Sequence, residues 1–546
     1  MANVMRLARG IVKFPAISLR DKVLNRRQCE NLLFNFQNGV QVLQSITNSS
    51  NEVFHKAEED LYQVVHKARV LIEECCRENW CRAVVIQMTN KECFRELLLD
   101  FENCFHTICD ISCLYHPAQE SNILAIRNST TFYPTSIDAI KEDQTSICER
   151  FSKHLDSCIA MDCNDCKLVQ YLKGYLMSLH RVEGGELDKI DFPYNYPRPE
   201  YGDPPSVLGS SGNTSVLSTN WLGLESVTKV IKVCDPKDVN KLWKEASILG
   251  GLNHPNIIKL YCCGFHEMKN QFELVMECGT KPLSKHLKAE GLLKETNAMD
   301  IMLQIASGMC YLHDMKVAHR DLKPSNVVVT PPNDSTLVNL GCIHVKLLDF
   351  GISKVEVKGF PELPTCRYIG TCGYMAPEAM ANQLSEVDAL KADVFSFGMM
   401  CSDILSGEKP TFGSLREYQV YIQGPRRPKL PEIYSDELKS IVYDCWSRDP
   451  SKRPTFLGIH NRLTSLKSAM LKGVVMNGVT NSTRGSLCKV FLSCFYFVLI
   501  TWFRYLWSVI KFEHFNNPSL FPSSQKVSNG SSSNPFSMKV SLSLTL

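Results

Sequence analysis

The stretch HRDLKPSN at residues 319–326, followed by DFG at residues 349–351 and APE at residues 376–378, says more about this 546-residue chain than any other part of it. Each segment alone is a weak pattern. In this order they supply a carboxylate that can accept the proton of an attacking hydroxyl. They also supply an amide and a second carboxylate that can bind magnesium, and an anchored loop. The combination predicts the chemistry of phosphoryl transfer.

These segments resemble the eukaryotic protein kinases, and the loop at 319–326 resembles the serine/threonine type. The resemblance implies an α+β, bilobal protein kinase fold over residues 206–468, with ATP and Mg as cofactors. It also implies that Asp321 accepts the hydroxyl proton and that Lys323 reaches the γ-phosphate. The magnesium ligands would be Asn326 and Asp349.

The family's glycine-rich hairpin over the ATP phosphates is altered in this chain. The sequence LGSSGNTSV at residues 208–216, aligned on Val216, keeps the first glycine as Gly209. Ser211 and Thr214 stand at the second and third glycine positions. Because glycine lets backbone amides approach phosphates closely, this departure bears on catalytic rate more than on fold.

Two lysines compete for the role of the nucleotide-binding lysine on the following strand. Lys229 lies thirteen residues after Val216, and Lys232 lies three residues further on, on the opposite strand face. The spacing favours Lys229. On the helix after this strand, Glu245 resembles the glutamate that pairs with the strand lysine in active kinases.

Residues 274–278 (LVMEC) read as a strand that ends in the hinge between the two lobes. The resemblance implies that the hinge backbone hydrogen-bonds adenine. Met276 would be the bulky residue behind the base, and Glu277 and Cys278 would continue the nucleotide-binding segment.

The larger lobe follows the family pattern more closely. Glu378 is expected to form an ion pair with Arg453, and Asp393 is expected to brace the backbone of the catalytic loop. The lower lobe, with Cys445 and Trp446, resembles the tyrosine-kinase-like group, especially its plant Raf-like members. Arg320 is a candidate partner for a phosphate added to a nearby loop, whose hydroxyls are Ser353, Thr365 and Tyr368.

Residues 21–185 are predicted to form a helical bundle domain, because apolar residues recur there at steps of three and four. One such stripe comprises Leu61, Val64, Val65, Ala68, Leu71 and Ile72. A helical region before a Raf-like kinase domain is similar to a set of plant kinases with an N-terminal bundle. The apolar stripes would also allow two copies of the helical domain to associate. Residues 1–20 form a basic N-terminus.

Residues 186–205 are predicted to be a semi-extended linker that is rich in proline and tyrosine. Such a linker implies that the helical domain and the kinase-like domain need to share few contacts. Residues 469–546 form a tail with an apolar segment at 490–510. That segment is just long enough for a membrane anchor if its arginine is tolerated, and a tail helix is the alternative.

The composition describes a globular protein, with 44% apolar and 21% charged residues. A net charge of +3 gives no general attraction to nucleic acid, so no nucleic-acid partner is predicted. No secretory signal is recognised, so the 24 cysteines are expected to be reduced. We expect a cytoplasmic location, with membrane association if the tail segment inserts.

Two functions from different classes follow from these patterns. The first is an ATP- and magnesium-dependent serine/threonine kinase that acts on protein substrates and is regulated or docked by its helical domain. The second is a pseudokinase scaffold, which the altered glycine hairpin favours. The joint presence of Asp321, Asn326 and Asp349 favours the enzyme, because a scaffold has no chemical need of all three.

Overall fold

The structure is a computed structural model that describes twelve ranges of the chain. These are residues 23–46, 52–77, 80–88, 90–157, 164–181, 197–202, 204–330, 342–349, 354–355, 371–380, 386–408 and 411–473. Up to residue 181 the described residues form helices and no strand, and a sheet with further helices follows. The α+β fold with a preceding helical region is therefore confirmed.

The helical region contains α1 (Arg26–Ile46), α2 (Glu52–Cys75), α3 (Trp80–Gln87), α4 (Lys91–Tyr115), α5 (Glu120–Ser129), α6 (Ile137–Ser157) and α7 (Asn164–Arg181). The predicted apolar stripe on α2 is buried. Between α1 and α4, the rings of Phe36 and Phe101 stack at 4.0 Å. A Cβ atom at Gly39 would lie 2.5 Å from the Phe101 ring, so glycine permits this close approach.

The smaller lobe is built on one antiparallel sheet. Its strands are β1 (Glu200–Tyr201), β2 (Val207–Ser211), β3 (Thr214–Trp221), β4 (Leu224–Lys232), β5 (Leu260–His266) and β6 (Gln271–Glu277). The order is β1-β3-β4-β6-β5, and β2 also pairs with β3. Helix α8 (Pro236–Gly251) packs on β5 and β6, where Trp243 meets Phe272 edge to face at 5.0 Å.

The larger lobe is mostly helical, and its short strands frame the catalytic loop. Its helices are α9 (Leu283–Glu290), α10 (Glu295–Asp314), α11 (Pro377–Met380), α12 (Glu386–Ser406), α13 (Leu415–Gln423), α14 (Asp436–Cys445) and α15 (Phe456–Leu471). Strand β7 (Lys281–Pro282) pairs with β9 (Val327–Thr330), which also pairs with β10 (His344–Leu347). Strand β8 (Val317–Ala318) pairs with β11 (Lys354–Val355). The loop between β8 and β9 carries residues 319–326.

The prediction that few contacts cross between the helical region and the kinase-like region is wrong. Lys467 on α15 binds Asp60 on α2 at 2.9 Å and Asp300 on α10 at 2.8 Å. On the smaller lobe, the Trp221 indole is fully buried and meets the Tyr171 ring of α7 edge to face at 5.9 Å. Aromatic and ionic contacts of this kind cannot be read from the composition of a linker, because they join residues far apart in the chain.

Truncation of the chain to start at Pro197 is expected to lower the melting temperature of the remaining kinase-like part. This fragment keeps the Pro197 carbonyl that accepts the Trp221 indole hydrogen bond at 2.7 Å, but loses Tyr171 and Asp60. A loss of about 2 kcal/mol in the free energy of unfolding corresponds to a decrease of roughly 5 °C in the melting temperature of a domain of this size. Scanning calorimetry of fragment and full chain measures the difference. Equal melting temperatures would show that the helical region does not stabilise its neighbour.

Several expectations fall wholly or largely outside the described residues. These are the basic N-terminus at 1–20, most of the linker at 186–205, the loop hydroxyls of Ser353, Thr365 and Tyr368, and the apolar tail segment at 490–510. No helix within the described ranges has both the length and the apolar character needed to span a membrane. The described cysteines are free except Cys166, which is disulfide-bonded, so the expectation of uniformly reduced cysteines is wrong.

Candidate active site

The loop at residues 319–326 is fixed by a single buried carboxylate. The backbone N–H groups of His319 and Arg320 each donate to Asp393 at 2.8 Å. His313 lies 3.0 Å from the same carboxylate. Arg320 has a φ of +68°, so the backbone makes a turn that few side chains tolerate. Asp393 thus braces the loop as predicted, and two charge-assisted hydrogen bonds hold the turn.

The carboxylate of Asp321 has a hydrogen-bond donor on each oxygen. Lys323 Nζ lies 2.6 Å from Oδ2, and Asn326 Nδ2 donates to the same oxygen at 3.0 Å. The Thr371 hydroxyl donates to Oδ1 at 2.7 Å. Lys323 also donates to Thr371 Oγ1 at 2.5 Å, which closes the network. The structure thereby brings together the three residues predicted to be catalytic.

Thr371 was missed by the sequence analysis as a member of this network. The available signal was a hydroxyl residue five positions before the APE segment that begins at Ala376. Forty-eight residues separate Thr371 from Lys323, so no local periodicity connects them. The contact is seen only in the folded structure, where Thr371 lies against the catalytic loop.

Asp349 is paired with the strand lysine. Lys229 Nζ lies 2.6 Å from Asp349 Oδ1. Burial alone would raise the pKa of Asp349, but the charge and hydrogen bond of Lys229 outweigh it, and the pKa lies below its ordinary value. Asp349 is therefore ionised at neutral pH. Lys232 is exposed at the end of β4, opposite Gln271, so the structure brings Lys229 and not Lys232 to Asp349.

Glu245 does not take the lysine as its ion-pair partner. The ion pair of Lys229 in the described structure is with Asp349. Burial on α8 raises the pKa of Glu245 to about 7, although the Lys229 charge lowers it in part. The expected strand-lysine to helix-glutamate pair is therefore replaced by a lysine–aspartate pair. The physical reason is where the chain places the groups: the Lys229 ammonium lies 2.6 Å from Asp349, and no ion pair joins it to Glu245 among the described residues.

The altered glycine hairpin has a register that agrees with the alignment on Val216. Gly209 lies opposite Val216, and Ser211 lies opposite Thr214, which leaves a two-residue turn. The first residue of that turn is Gly212, whose φ is +54°. A positive φ at this position is the reason for glycine there, because a tight hairpin turn requires it. A Cβ at Gly209 would meet nothing within 4 Å, so packing does not demand glycine at that position.

At the hinge, the Glu277 side chain is turned toward the protein. Its carboxylate lies 2.9 Å from Lys346 Nζ on β10, and its backbone N–H donates to the Lys259 carbonyl at 2.9 Å. The carboxylate and the backbone N–H of Glu277 are thus both engaged by the protein. Met276 is half-buried on β6, whereas Cys278 is exposed just after it.

The residues at the centre of the site fit magnesium and a nucleotide phosphate. Asp349 offers an ionised carboxylate, and Asn326 offers an amide oxygen because its amide nitrogen faces Asp321. Magnesium prefers oxygen ligands and commonly takes only one or two from the protein, with water and phosphates completing its shell. The described residues contain no cluster of three or more His, Cys, Asp or Glu side chains that could hold a metal. The donor set therefore suits a metal shared with phosphates.

The predicted ion pair in the larger lobe is confirmed. Arg453 binds Glu378 through both guanidinium nitrogens, at 2.5 and 3.0 Å. The Arg453 side chain is fully buried and also lies over the Phe395 ring at 5.1 Å. This pair joins α11, which contains Glu378, to the segment just before α15, which contains Arg453. Its role is structural and not catalytic.

Comparison with known proteins gives a consistent result for this part of the chain. Residues 208–463 match the family described as protein kinase domain. The chain is 33% identical over 285 residues to serine/threonine-protein kinase 12 of Arabidopsis thaliana, covering 49% of this chain and 58% of that protein. It is 31% identical over 234 residues to mitogen-activated protein kinase kinase 9 of the same plant, covering 40% of this chain and 69% of that protein.

The chain spans only part of other curated relatives. It is 31% identical over 290 residues to a light-sensor protein kinase of Ceratodon purpureus, covering 49% of this chain and 22% of that protein. Among solved structures, a cryo-EM structure of the AtMLKL3 tetramer matches 86% of this chain and 89% of that chain, with a TM-score of 0.65 and 21% identity. This last likeness concerns the fold, and it includes the helical region as well as the two lobes.

Proposed function

The chain belongs to the protein kinase family, and we propose that it is an ATP- and magnesium-dependent kinase that transfers the γ-phosphate to serine or threonine hydroxyls of proteins. The observation that carries the proposal is the Asp321 carboxylate, held by Lys323, Asn326 and Thr371 in a loop braced by Asp393. These hydrogen bonds hold the carboxylate in one orientation, which positions it to accept the proton of a hydroxyl. Lys323 and the names of the relatives support serine/threonine specificity.

In this mechanism Asp321 accepts the proton of the substrate hydroxyl at its carboxylate. Lys323 and Asn326 keep that carboxylate in one orientation, so that the proton acceptor is preorganised. Lys229 stands beside Asp349, where it can also bind the nucleotide phosphates. Magnesium held by Asn326 and Asp349 would supply positive charge against the phosphate oxygens.

The helical region is proposed to brace the kinase part and not to cover its catalytic residues. Its described contacts include ones to α8, α10, α15, Trp221 on β3, the turn between β3 and β4, and Lys259 just before β5. None of these elements contains Asp321, Asn326 or Asp349. A regulatory signal at the helical region would therefore act through the position of the lobes.

The second candidate function is a pseudokinase scaffold, and two observations favour it. Ser211 and Thr214 replace glycines of the hairpin, and Lys229 pairs with Asp349 and not with Glu245. Either feature can reduce the rate of phosphotransfer, because both affect how the phosphates are held. Neither removes the groups that the reaction needs.

The proposed function is tested with the purified full chain and labelled ATP. We expect magnesium-dependent transfer of phosphate to the chain itself or to a mixture of serine- and threonine-containing peptides, with loss of transfer on chelation of magnesium. Phosphoserine or phosphothreonine should be the product. Magnesium-dependent nucleotide binding without transfer would support the scaffold, and phosphotyrosine would overturn the proposed specificity.

Lys229→Met is expected to reduce kcat/KM for ATP by about a hundredfold, since it removes a positive charge from the phosphate site. The matched control is Lys232→Met on the same strand, which is expected to change kcat/KM less than about twofold because Lys232 is exposed. Steady-state kinetics with varied ATP provide the comparison. A larger effect at Lys232 would mean that the phosphate-binding lysine has been misassigned by three residues.

A further inference from the structure

The helical region reaches the hinge of the kinase through a group of polar residues, here named the hinge cluster: Lys259, Glu277, Lys346 and Cys93, with the backbone carbonyl of Ile86. Lys259 Nζ donates to the Ile86 carbonyl at 2.9 Å. Ile86 belongs to α3 of the helical region, and Lys259 directly precedes β5 of the smaller lobe. The two residues are 173 positions apart in the chain.

The Ile86 carbonyl lies in the last turn of α3, where carbonyl groups have no partner within the helix. A lysine ammonium is a favourable partner there, because the helix C-terminus carries partial negative charge. Burial lowers the pKa of Lys259 to about 8, so the ammonium needs such a partner. The contact therefore gives a hydrogen-bond partner to the helix-end carbonyl of the helical region and to the Lys259 ammonium of the kinase part.

Lys259 is also linked directly to the hinge. The Glu277 N–H donates to the Lys259 carbonyl at 2.9 Å, and the Lys259 N–H donates to a Glu277 carboxylate oxygen at 3.4 Å. The same carboxylate oxygen accepts from Lys346 Nζ at 2.9 Å. A displacement of Lys259 must therefore move Glu277 or break these hydrogen bonds.

A second residue of the helical region adjoins the same group. Cys93 on α4 is half-buried, and desolvation raises the pKa of its thiol to about 12. Lys346, Lys259 and Glu277 are among the charged neighbours that contribute to this pKa shift. Helix α3 thus contacts the hinge cluster through the Ile86 carbonyl, and Cys93 places α4 near the charged groups of the cluster.

We propose that Lys259 is a positioning residue for nucleotide binding, which makes the docked position of the helical region a determinant of ATP affinity. This inference rests on the proposed function, because it takes the backbone after Met276 as the adenine-binding segment. The proposed coupling consists of the hydrogen bond from Lys259 to the Ile86 carbonyl and the hydrogen bonds between Lys259 and Glu277. It uses no catalytic residue, so it affects binding of the nucleotide and not transfer of the phosphate.

The test is calorimetric titration of the full chain with a non-hydrolysable ATP analogue and magnesium. Lys259→Met is expected to raise the Kd about fivefold, within the usual range of coupling between sites. If activity is measurable, KM for ATP should rise by a similar factor while kcat changes less than about twofold. If Lys259→Met does not fold, Lys259→Gln is titrated in its place.

The matched control is Lys467→Met, which also removes an ionic contact between the helical region and the kinase, at a site remote from the hinge. Its Kd is expected to stay within about twofold of the parent value. On the helical side, Cys93→Arg adds a positive charge beside Lys259 and Lys346, and should weaken binding as Lys259→Met does. The double variant should be no weaker than either single variant.

Three outcomes would overturn the inference. The first is an unchanged Kd in the Lys259 variant, and the second is an equal change in the Lys467 variant. The third is fully additive effects of Lys259→Met and Cys93→Arg, which would mean that the two residues do not act along one path. Failure of phosphotransfer with intact nucleotide binding would overturn the proposed function alone. Absence of nucleotide binding in the parent chain would overturn both.

Discussion

The Asp321→Asn variant is expected to lose phosphotransfer activity by about a thousandfold while it keeps nucleotide affinity and folding. The amide cannot accept the proton of the substrate hydroxyl. Its oxygen can take the place of Oδ2, which accepts from Lys323 and Asn326. Its NH2 group then faces Thr371, whose hydroxyl can turn to accept a hydrogen bond. The network therefore survives the loss of the charge.

Single-turnover kinetics and calorimetric titration of the same preparation separate these effects. Thr371→Val is a useful comparison, because it removes one hydrogen bond to Asp321 without changing the carboxylate, and should cost far less activity. Undiminished transfer by purified Asp321→Asn would exclude Asp321 as the proton acceptor. Loss of nucleotide binding in that variant would instead indicate a structural role.

Arg453→Met is expected to lower the free energy of unfolding by about 3–5 kcal/mol, the usual cost of breaking a buried ion pair from one side. The variant leaves Glu378 without its bidentate partner. It also removes the donors to the Ser447 carbonyl at 2.8 Å and the Lys391 carbonyl at 2.9 Å. Burial of these acceptors without donors is costly, because the protein interior offers them no water.

The chain provides a matched control in Arg462→Met. Arg462 forms an ion pair with Asp444 at 2.7 Å, but both side chains are 40% or more exposed. Exposed pairs contribute roughly 0–1 kcal/mol, so this change should have little effect. Denaturant titration of both variants measures the difference. Similar free energies of unfolding for the two would show that the Glu378 pair does not support the larger lobe.

The sequence by itself determined the fold class and most of the chemical groups of the site. The spacing of 319–326, 349–351 and 376–378 identified the kinase fold, because loops that bind phosphate and metal tolerate few residue types. The apolar stripes identified the N-terminal helices, because helix periodicity is a local property. A count of thirteen residues from Val216 selected Lys229, which the structure brings to Asp349.

Only the tertiary structure decided which of these groups meet. It paired Lys229 with Asp349 and not with Glu245, and it joined Thr371 to Asp321. It also docked the helical region on both lobes, where the sequence analysis expected few contacts. The physical reason is that a hydrogen bond or ion pair depends on a separation of about 3 Å. That separation, for residues fifty to four hundred positions apart in the chain, is set by the packing of whole helices and sheets, while sequence patterns report only on near neighbours.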